Sequence, residues 1–374
     1  MEIEIGIGKS GRRAYGFDDI AIVPSRRTRD PEDVDITWDL DAFRFELPLM
    51  AAAMDGVTSP ATAIEIGQLG GLACLNLEGL WTRYDDADPV FEEIATLTPD
   101  KATRRMQELY AEPIKEELIG RRIEEIKAGG VTACASLTPQ RVEKYAKLVV
   151  DADLDVLVIQ GTVVSAEHVA KHRKPLNLKT FIAGLDIPVI AGGCADYQTA
   201  LHLMRTGAAG IIVGYGASPG ATTSDVLGIS VPMASAIADA AAARRDYLDE
   251  TGGRYVHVIA HGDIGTGGEI AKAIACGADA VMLGEPLAAA MELPGFGAYW
   301  DHAASHPNLP RGELDQVVDA ADRVALREVL VGPTADPSGR RNLFGGLRRA
   351  MAKCGYSSLK EFQKAELILA TPSW

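Results

Sequence analysis

The 374-residue sequence is short of cysteine, and what it has is scattered. Cys74, Cys134, Cys194, Cys276 and Cys354 form no CxxC pair and no metal-ligand spacing, which argues against a disulfide framework or a structural zinc. Basic charge is in deficit too: 37 Lys and Arg stand against 52 Asp and Glu, a net charge of -15. Nucleic acid and anionic membranes need a basic face, so neither is expected as a partner. A small anionic ligand stays open, because local loops decide that. The start, MEIEIGIGKSGRR, has no basic segment followed by an apolar run, so no signal peptide is expected. No stretch approaches the ~20 apolar residues of a membrane span. A reduced, cytoplasmic protein is the plain expectation.

What the chain does have is rhythm. From residue 47 onward eight short apolar runs recur, at 47–53, 71–77, 131–136, 155–160, 187–191, 209–214, 255–260 and 278–284. Continuous apolar runs of this length fit parallel strands buried on both faces. Helical stretches with readable ends lie between them. Ser59-Pro60 supplies an N-cap and a first-turn proline, and Gly70-Gly71 closes that helix. Thr138-Pro139 repeats the device before a helix running to about Ala152, and Pro232 opens the alanine-rich MASAIADAAAARRDYL. Ser358 with Glu361 reads as a capping box. Eight strand–helix units in series predict an α/β protein built as a (β/α)8 TIM barrel. No GxGxxG follows the first strand, which speaks against a doubly wound sheet. The 38 glycines, about one residue in ten, exceed the ~7% average and suit many tight turns. Residues 1–374 are expected to form a single domain without a dividing linker. Segment 80–122 reads as a charged helical insertion after strand two, and 295–341 as a lid-like segment after strand eight.

In such a barrel the active site lies at the C-terminal strand ends, with phosphate held by the loops after strands seven and eight. Those loops are HGDIGTGG (261–268) and LGEPLA (283–288), and glycine-rich turns that open helices can cradle an anion with backbone N–H groups. The long loop GYGASPGATTSD (214–225) is the natural place for a catalytic loop, though each glycine also reads as plain turn geometry. His261 and Asp263, two apart at a strand end, could do acid–base work or bind a metal; no third ligand is evident.

The blocks FDDIAIVPS (17–25), PLMAAAMDGVT (48–58), GQLGGLACLN (67–76), VIAGGCADYQTALHLMRTGAAGIIVGYG (189–216), VIAHGDIGTGGEIAKAIACGADAVMLG (258–284) and GGLRRAMAKCGY (345–356) occur in order along the chain. Together they resemble the IMP dehydrogenase/GMP reductase family, most of all the "IMP dehydrogenase-related" group without CBS regulatory domains. The resemblance implies a purine nucleotide of the IMP/XMP/GMP class as substrate, NAD as hydride acceptor and a homotetramer. It also implies potassium held by loop carbonyls, here at Gly214, Gly216 and Ala221. A loop cysteine adds to C2 of the purine, hydride passes to NAD, and water activated by a threonine releases XMP. Such addition requires a thiolate.

Carried over residue by residue, the pattern is broken. Ala221 stands at the nucleophile, while Thr223 matches the water-activating threonine. The substrate-binding positions fall on Met54, Asp55, Gly216, Pro219, Gly220, His261, Gly262, Asp263, Gly284 and Glu285. The cofactor positions fall on Gln160, Gly161, Gly193 and Gly214. Pro219 replaces a phosphate-binding serine, His261 the ribose-binding aspartate, Gln160 the aspartate beside nicotinamide, Gly193 an asparagine and Ala52 a serine; Met54 and Asp55 are retained. Cys194, after strand five, is the nearest thiol in function but reads more readily as a small buried filler. Arg311 and the pair Arg340-Arg341 read as solvated lid residues.

Asp263 and Glu285 stand where two phosphate donors belong. An unpaired like charge at ~4 Å and an effective dielectric of ~20 costs about 4 kcal/mol, roughly three decades in affinity. Arg340, Arg341 or Lys272 could compensate, and both carboxylates also suit helix N-termini. Three readings follow: an IMP dehydrogenase-type oxidoreductase, a catalytically silent paralogue that binds a ligand or assembles with an active relative, and a flavin-dependent barrel suggested by the AGGC and VMLG turns.

Overall fold

The computed structural model describes residues 2–171, 175–215 and 220–370. Eight parallel strands close into a barrel: β1 (Leu49–Ala51), β2 (Leu72–Asn76), β3 (Cys134–Leu137), β4 (Val156–Gln160), β5 (Val189–Cys194), β6 (Gly210–Val213), β7 (His257–Ala260) and β8 (Ala280–Leu283). Each falls within or beside one of the eight apolar runs. Neighbouring strands in sequence are neighbours in space, and β8 pairs back onto β1. Almost every strand residue is buried, which is why the runs are continuously apolar rather than alternating.

The outer helices start where the capping chemistry puts them. Ser59 Oγ accepts from Thr62 N and Pro60 opens α1 (Pro60–Gln68). After β2 the chain makes α2 (Asp88–Ile94) and α3 (Pro99–Leu109) before the outer helix α4 (Glu116–Ala128). The extra part of the charged segment is therefore α2 and α3 with their connections, and α4 runs beyond residue 122. The Thr138-Pro139 signal does not open a helix directly: α5 spans Val142–Asp151 with Arg141 at its cap. The remaining helices are α6 (Leu178–Ile182), α7 (Tyr197–Met204), α8 (Thr223–Leu227), α9 (Met233–Thr251), α10 (Gly267–Cys276), α11 (Leu326–Leu330), α12 (Leu343–Lys353) and α13 (Leu359–Phe362). No helix among the described residues is long and apolar enough to cross a membrane.

Below β7 and β8 the barrel is closed by a charge cluster. Buried Asp279 accepts from Arg244 (2.6 Å), Lys360 (2.6 Å), Tyr255 Oη (2.7 Å) and Val258 N (2.8 Å). Burial would raise its carboxyl, but Arg244, Lys360 and His257 outweigh that and hold it well below the usual range. Above the barrel, the segment after β8 packs against the insertion. Trp300 and Tyr299 are buried, Trp300 Nε1 donates to Tyr110 Oη at 2.7 Å, and Phe91 lies between the rings of Trp81 and Trp300. Insertion and lid-like segment thus form one aromatic seam over one side of the mouth.

Candidate active site at the barrel mouth

The C-terminal strand ends bring together residues that are far apart in sequence. Gln160 and Gly161 end β4, Gly193 lies in β5, Gly214 and Tyr215 follow β6, and His261 and Gly262 follow β7. With Thr162, Ala221, Thr223, Asp301 and His302 they line a narrow space of about 40 Å³. Two glycines there are dictated by crowding. Gly214 has φ +122°, and a Cβ on it would stand 2.0 Å from the His261 carbonyl oxygen. A Cβ on Gly193 would stand 2.5 Å from the Gly214 carbonyl oxygen.

Ala221 and Thr223 therefore share the mouth with Gln160, Gly161, Gly193, Gly214, His261 and Gly262. Gly220 is fixed beside them, donating its N–H to Tyr299 Oη at 2.8 Å while its carbonyl accepts from Glu313 N at 2.9 Å. Gly216 and Pro219 lie outside the described residues. Met54 packs on Gly284, where an added Cβ would come within 2.7 Å of its sulfur. Asp55 turns to the insertion: its carboxylate accepts from Leu80 N and Tyr110 Oη, and Oδ1 is buried without a partner. Burial lifts its carboxyl to about 6 against those hydrogen bonds.

The pairing of His261 with Asp263 is not formed. Asp263 is exposed, with a left-handed φ of 51°, and its carboxyl is raised by burial and by Glu269 and Asp18. His261 Nδ1 lies 3.1 Å from the Met282 carbonyl. Burial lowers its pKa, opposed by Asp301. The acid facing the mouth is Asp301, 3.0 Å from His302 Nδ1 and also accepting from Ala303 N at 2.8 Å. Burial would raise the Asp301 carboxyl, but His302, the Ala303 N–H and His261 hold it below the usual range. Asp301 in turn raises His302. Sequence reasoning missed this adjacent pair, whose one signal was a DH dipeptide at the start of an irregular segment.

At the β7–β8 end the loop expected to hold phosphate is already occupied by its own side chains. Glu269 Oε2 accepts from Gly265 N (2.7 Å), Thr266 N (2.9 Å) and Thr266 Oγ1 (3.1 Å). Thr266 Oγ1 accepts from Glu269 N, and Gly267 N donates to the Gly339 carbonyl at 3.0 Å. Glu285 closes the same spot: a methyl on Gly265 would stand 3.5 Å from Glu285 Oε2 and 3.7 Å from Glu269 Oε2. Arg340, of the three compensating cations considered, pairs with Glu285 at 3.1 Å. Burial nonetheless leaves the Glu285 carboxyl raised. Lys272 instead donates to the Phe17 carbonyl and Arg341 pairs with Glu328 and Asp336.

None of the five thiols is poised for attack. Cys194 is fully buried beneath the mouth and donates to the Ile212 carbonyl, and burial pushes its thiol far up. Burial pushes Cys276 to about 12. Among the described residues no group of three or more His, Cys, Asp and Glu side chains could hold a metal ion.

Comparison with known proteins fits this barrel and mouth. The family model for the IMP dehydrogenase / GMP reductase domain matches residues 14–306. The chain belongs to the IMP dehydrogenase/GMP reductase family. It is similar to an uncharacterized oxidoreductase of Mycobacterium tuberculosis (strain ATCC 25618 / H37Rv), 57% identical over 373 residues, covering 98% of this chain and 99% of the relative. An uncharacterized oxidoreductase of Mycolicibacterium smegmatis is 55% identical, covering 99% of this chain and 100% of the relative. Among solved structures, an IMP dehydrogenase/GMP reductase-like protein from Corynebacterium glutamicum superposes with a TM-score of 0.94 at 51% identity, covering 99% of this chain and 98% of that one. An inosine-5'-monophosphate dehydrogenase of Methanocaldococcus jannaschii is 25% identical, covering 97% of this chain and 94% of the relative. The AGGC and VMLG segments that suggested a flavin barrel lie in β5 and at the end of β8.

Proposed function

We propose that the chain is an IMP dehydrogenase-related, oxidoreductase-type protein of purine nucleotide metabolism that does not run the family's covalent reaction. The observation that carries this is Ala221, placed with Thr223 in the mouth of a family barrel whose thiols are all elsewhere. Conversion of IMP, NAD and water to XMP and NADH begins with a thiolate, and no side chain at position 221 can supply one. Thr223 keeps its place for positioning water, but no covalent adduct forms for that water to release.

In this structure the space between Gln160, Gly193, Tyr215 and His261 is about 40 Å³, room for a few waters and not for a nicotinamide riboside. The carbonyls that would hold potassium are those of Gly214, Gly216 and Ala221, of which Gly216 lies outside the described residues. A second reading, a catalytically silent paralogue that binds a ligand or joins an active relative, is favoured by Glu269 and Glu285 at the phosphate position. We expect a cytoplasmic homotetramer, as the family resemblance implies.

The decisive assay mixes purified protein with IMP, NAD and a potassium salt and follows NADH. No NADH at ordinary enzyme rates of ~1–10³ s⁻¹ is expected, and Ala221→Cys alone stays silent because His261, Asp263 and Glu285 still differ. Robust turnover by either protein would overturn the reading. A thermal-shift series with purine nucleotides tests the binding part: a ligand at a hundredfold excess over its Kd adds ~2.7 kcal/mol of stability, and no stabilisation by any of them removes the nucleotide.

A further inference from the structure

A second cavity of about 260 Å³ opens beside the mouth, between the ends of β2, β3 and β4 and the segment after β8. Gln160 and His302 line both spaces, so these two side chains stand between them. Two arginines give this cavity its positive charge. Arg83, Arg141, His302 and His306 line it, and Glu78 is the carboxylate facing them. Glu78 is already engaged, accepting from Thr138 N at 2.6 Å and pairing with Arg141 at 3.1 Å. Arg83 spends its donors on the neutral carbonyls of Glu78 and Glu112, so its charge is not cancelled by a paired carboxylate. Arg311 lies behind His302 and His306: its Nη2 donates to Thr162 Oγ1 at 3.2 Å and its Nε is buried with no partner. Burying cations side by side is costly unless an anion joins them. The sign is opposite to the net charge of -15 that the whole chain carries.

His302 stands at the junction. Its Nδ1 faces the Asp301 carboxylate at 3.0 Å, which leaves Nε2 as the nitrogen that can meet a ligand. A carboxylate on one edge of an imidazole fixes its orientation and favours its protonated form. Thr223 and His261 share the same space.

We propose that His302, held by Asp301, is a proton-transfer group of this barrel and that its substrate is a small oxyanion, a carboxylate or a phosphate monoester, whose charged end lies in the side cavity between Arg83 and Arg141. In the step, which starts from the neutral imidazole with its proton on Nδ1 toward Asp301, Nε2 forms an N–H bond as an O–H or C–H bond of the substrate breaks; the bonding pair stays on the substrate, and the resulting imidazolium is balanced by Asp301. Asp301 is a positioning residue. The proposal does not rest on a purine nucleotide being the ligand, so it stands or falls separately from the reading above.

The test follows His302 in protein with ¹³C-labelled histidine, assigned through His302→Gln, while inorganic phosphate or succinate is added. A saturable shift of the His302 ring signal is expected with at least one of them; phosphate alone or succinate alone names which oxyanion the cavity takes. Arg141→Ala, at a side chain 45% exposed, should weaken that binding at least tenfold. Arg340→Ala, at the other end of the mouth, should leave it unchanged. No saturable shift with either anion, a shift indifferent to Arg141→Ala, or an equal loss in Arg340→Ala would each overturn the proposal. Asp301→Asn separates positioning from mere structure. The charged and titratable groups that face His302 are Asp301, Arg311, Glu78, His261 and His306, so removing the first should lower the titration midpoint of His302 more than that of any other histidine. An unmoved midpoint in the folded variant would sink the role of Asp301.

Discussion

At one end of the barrel mouth, after β7 and β8, two glutamates sit beside the glycine-rich loop that was expected to hold an anion. Glu269 takes the N–H groups of Gly265 and Thr266, and Glu285 flanks the same glycine under a single partly exposed arginine. At the other end, around β2 to β4, Arg83, Arg141 and two histidines surround a cavity with one engaged carboxylate. Both ends are made by the same strand–loop–helix unit. The difference teaches that a barrel keeps its frame while the sign of the charge at each loop is free to change, because loop side chains do not hold the strands together.

Four measurements can break or sharpen that contrast. The largest effect belongs to the seam between the two ends. Gly214→Ala forces a side chain into a left-handed backbone and onto the His261 carbonyl, and should cost more than about 3 kcal/mol in urea unfolding. A cost under about 1 kcal/mol would mean that the β6 and β7 loops are not packed this tightly.

Next comes Asp55, beneath the basic cavity. Its carboxyl titrates near 6 when folded against an unfolded value of 3.8. Between those values the folded state binds more protons, so stability falls as pH rises from about 4 to about 6 and is flat above. The loss is on the order of 2–3 kcal/mol. Asp55→Asn should remove this component, seen by comparing urea midpoints of the two proteins across pH 4 to 7. Parallel curves would show that Asp55 is not buried in this way.

The acidic end can be opened. Glu269→Gln with Glu285→Gln removes two negative charges, and IMP should bind at least tenfold more tightly, as two unfavourable contacts of a few kcal/mol are relieved. Calorimetric titration measures it; unchanged affinity would say that charge is not what bars phosphate there. The smallest effect is Arg340→Ala. Its ion pair with Glu285 joins a side chain 61% exposed to one 15% exposed, and such pairs are worth ~0–1 kcal/mol. A loss beyond about 1.5 kcal/mol would make Arg340 a structural clamp.

The frame was legible because its signals are local. Each strand is a run of apolar residues, and Ser59 and Pro60 announce α1 from adjacent positions. The absent thiol was equally legible, since Ala221 needs only an alignment of loop residues. Two expectations failed where the chain turns. Thr138-Pro139 leads into α5 through a turn in which the Thr138 carbonyl accepts from Arg141 N and Val142 N, both at 3.0 Å. Asp263 was expected beside His261, but its left-handed backbone carries it outward.

What the sequence by itself determined is therefore the barrel, the family and the alanine at position 221, all written in patterns that span a few residues to a few turns. Only the tertiary structure decided which charges meet. Asp301 and His302 reach the mouth about 40 residues after His261, on a segment with no period to follow, and Arg83 meets Arg141 across the insertion, α4 and one strand. Glu269 takes the N–H groups of Gly265 and Thr266 because it stands in the first turn of the helix that this loop opens. Electrostatics acts through space, over a few ångströms between groups remote in the chain, so its outcome waits on where the long segments come to rest.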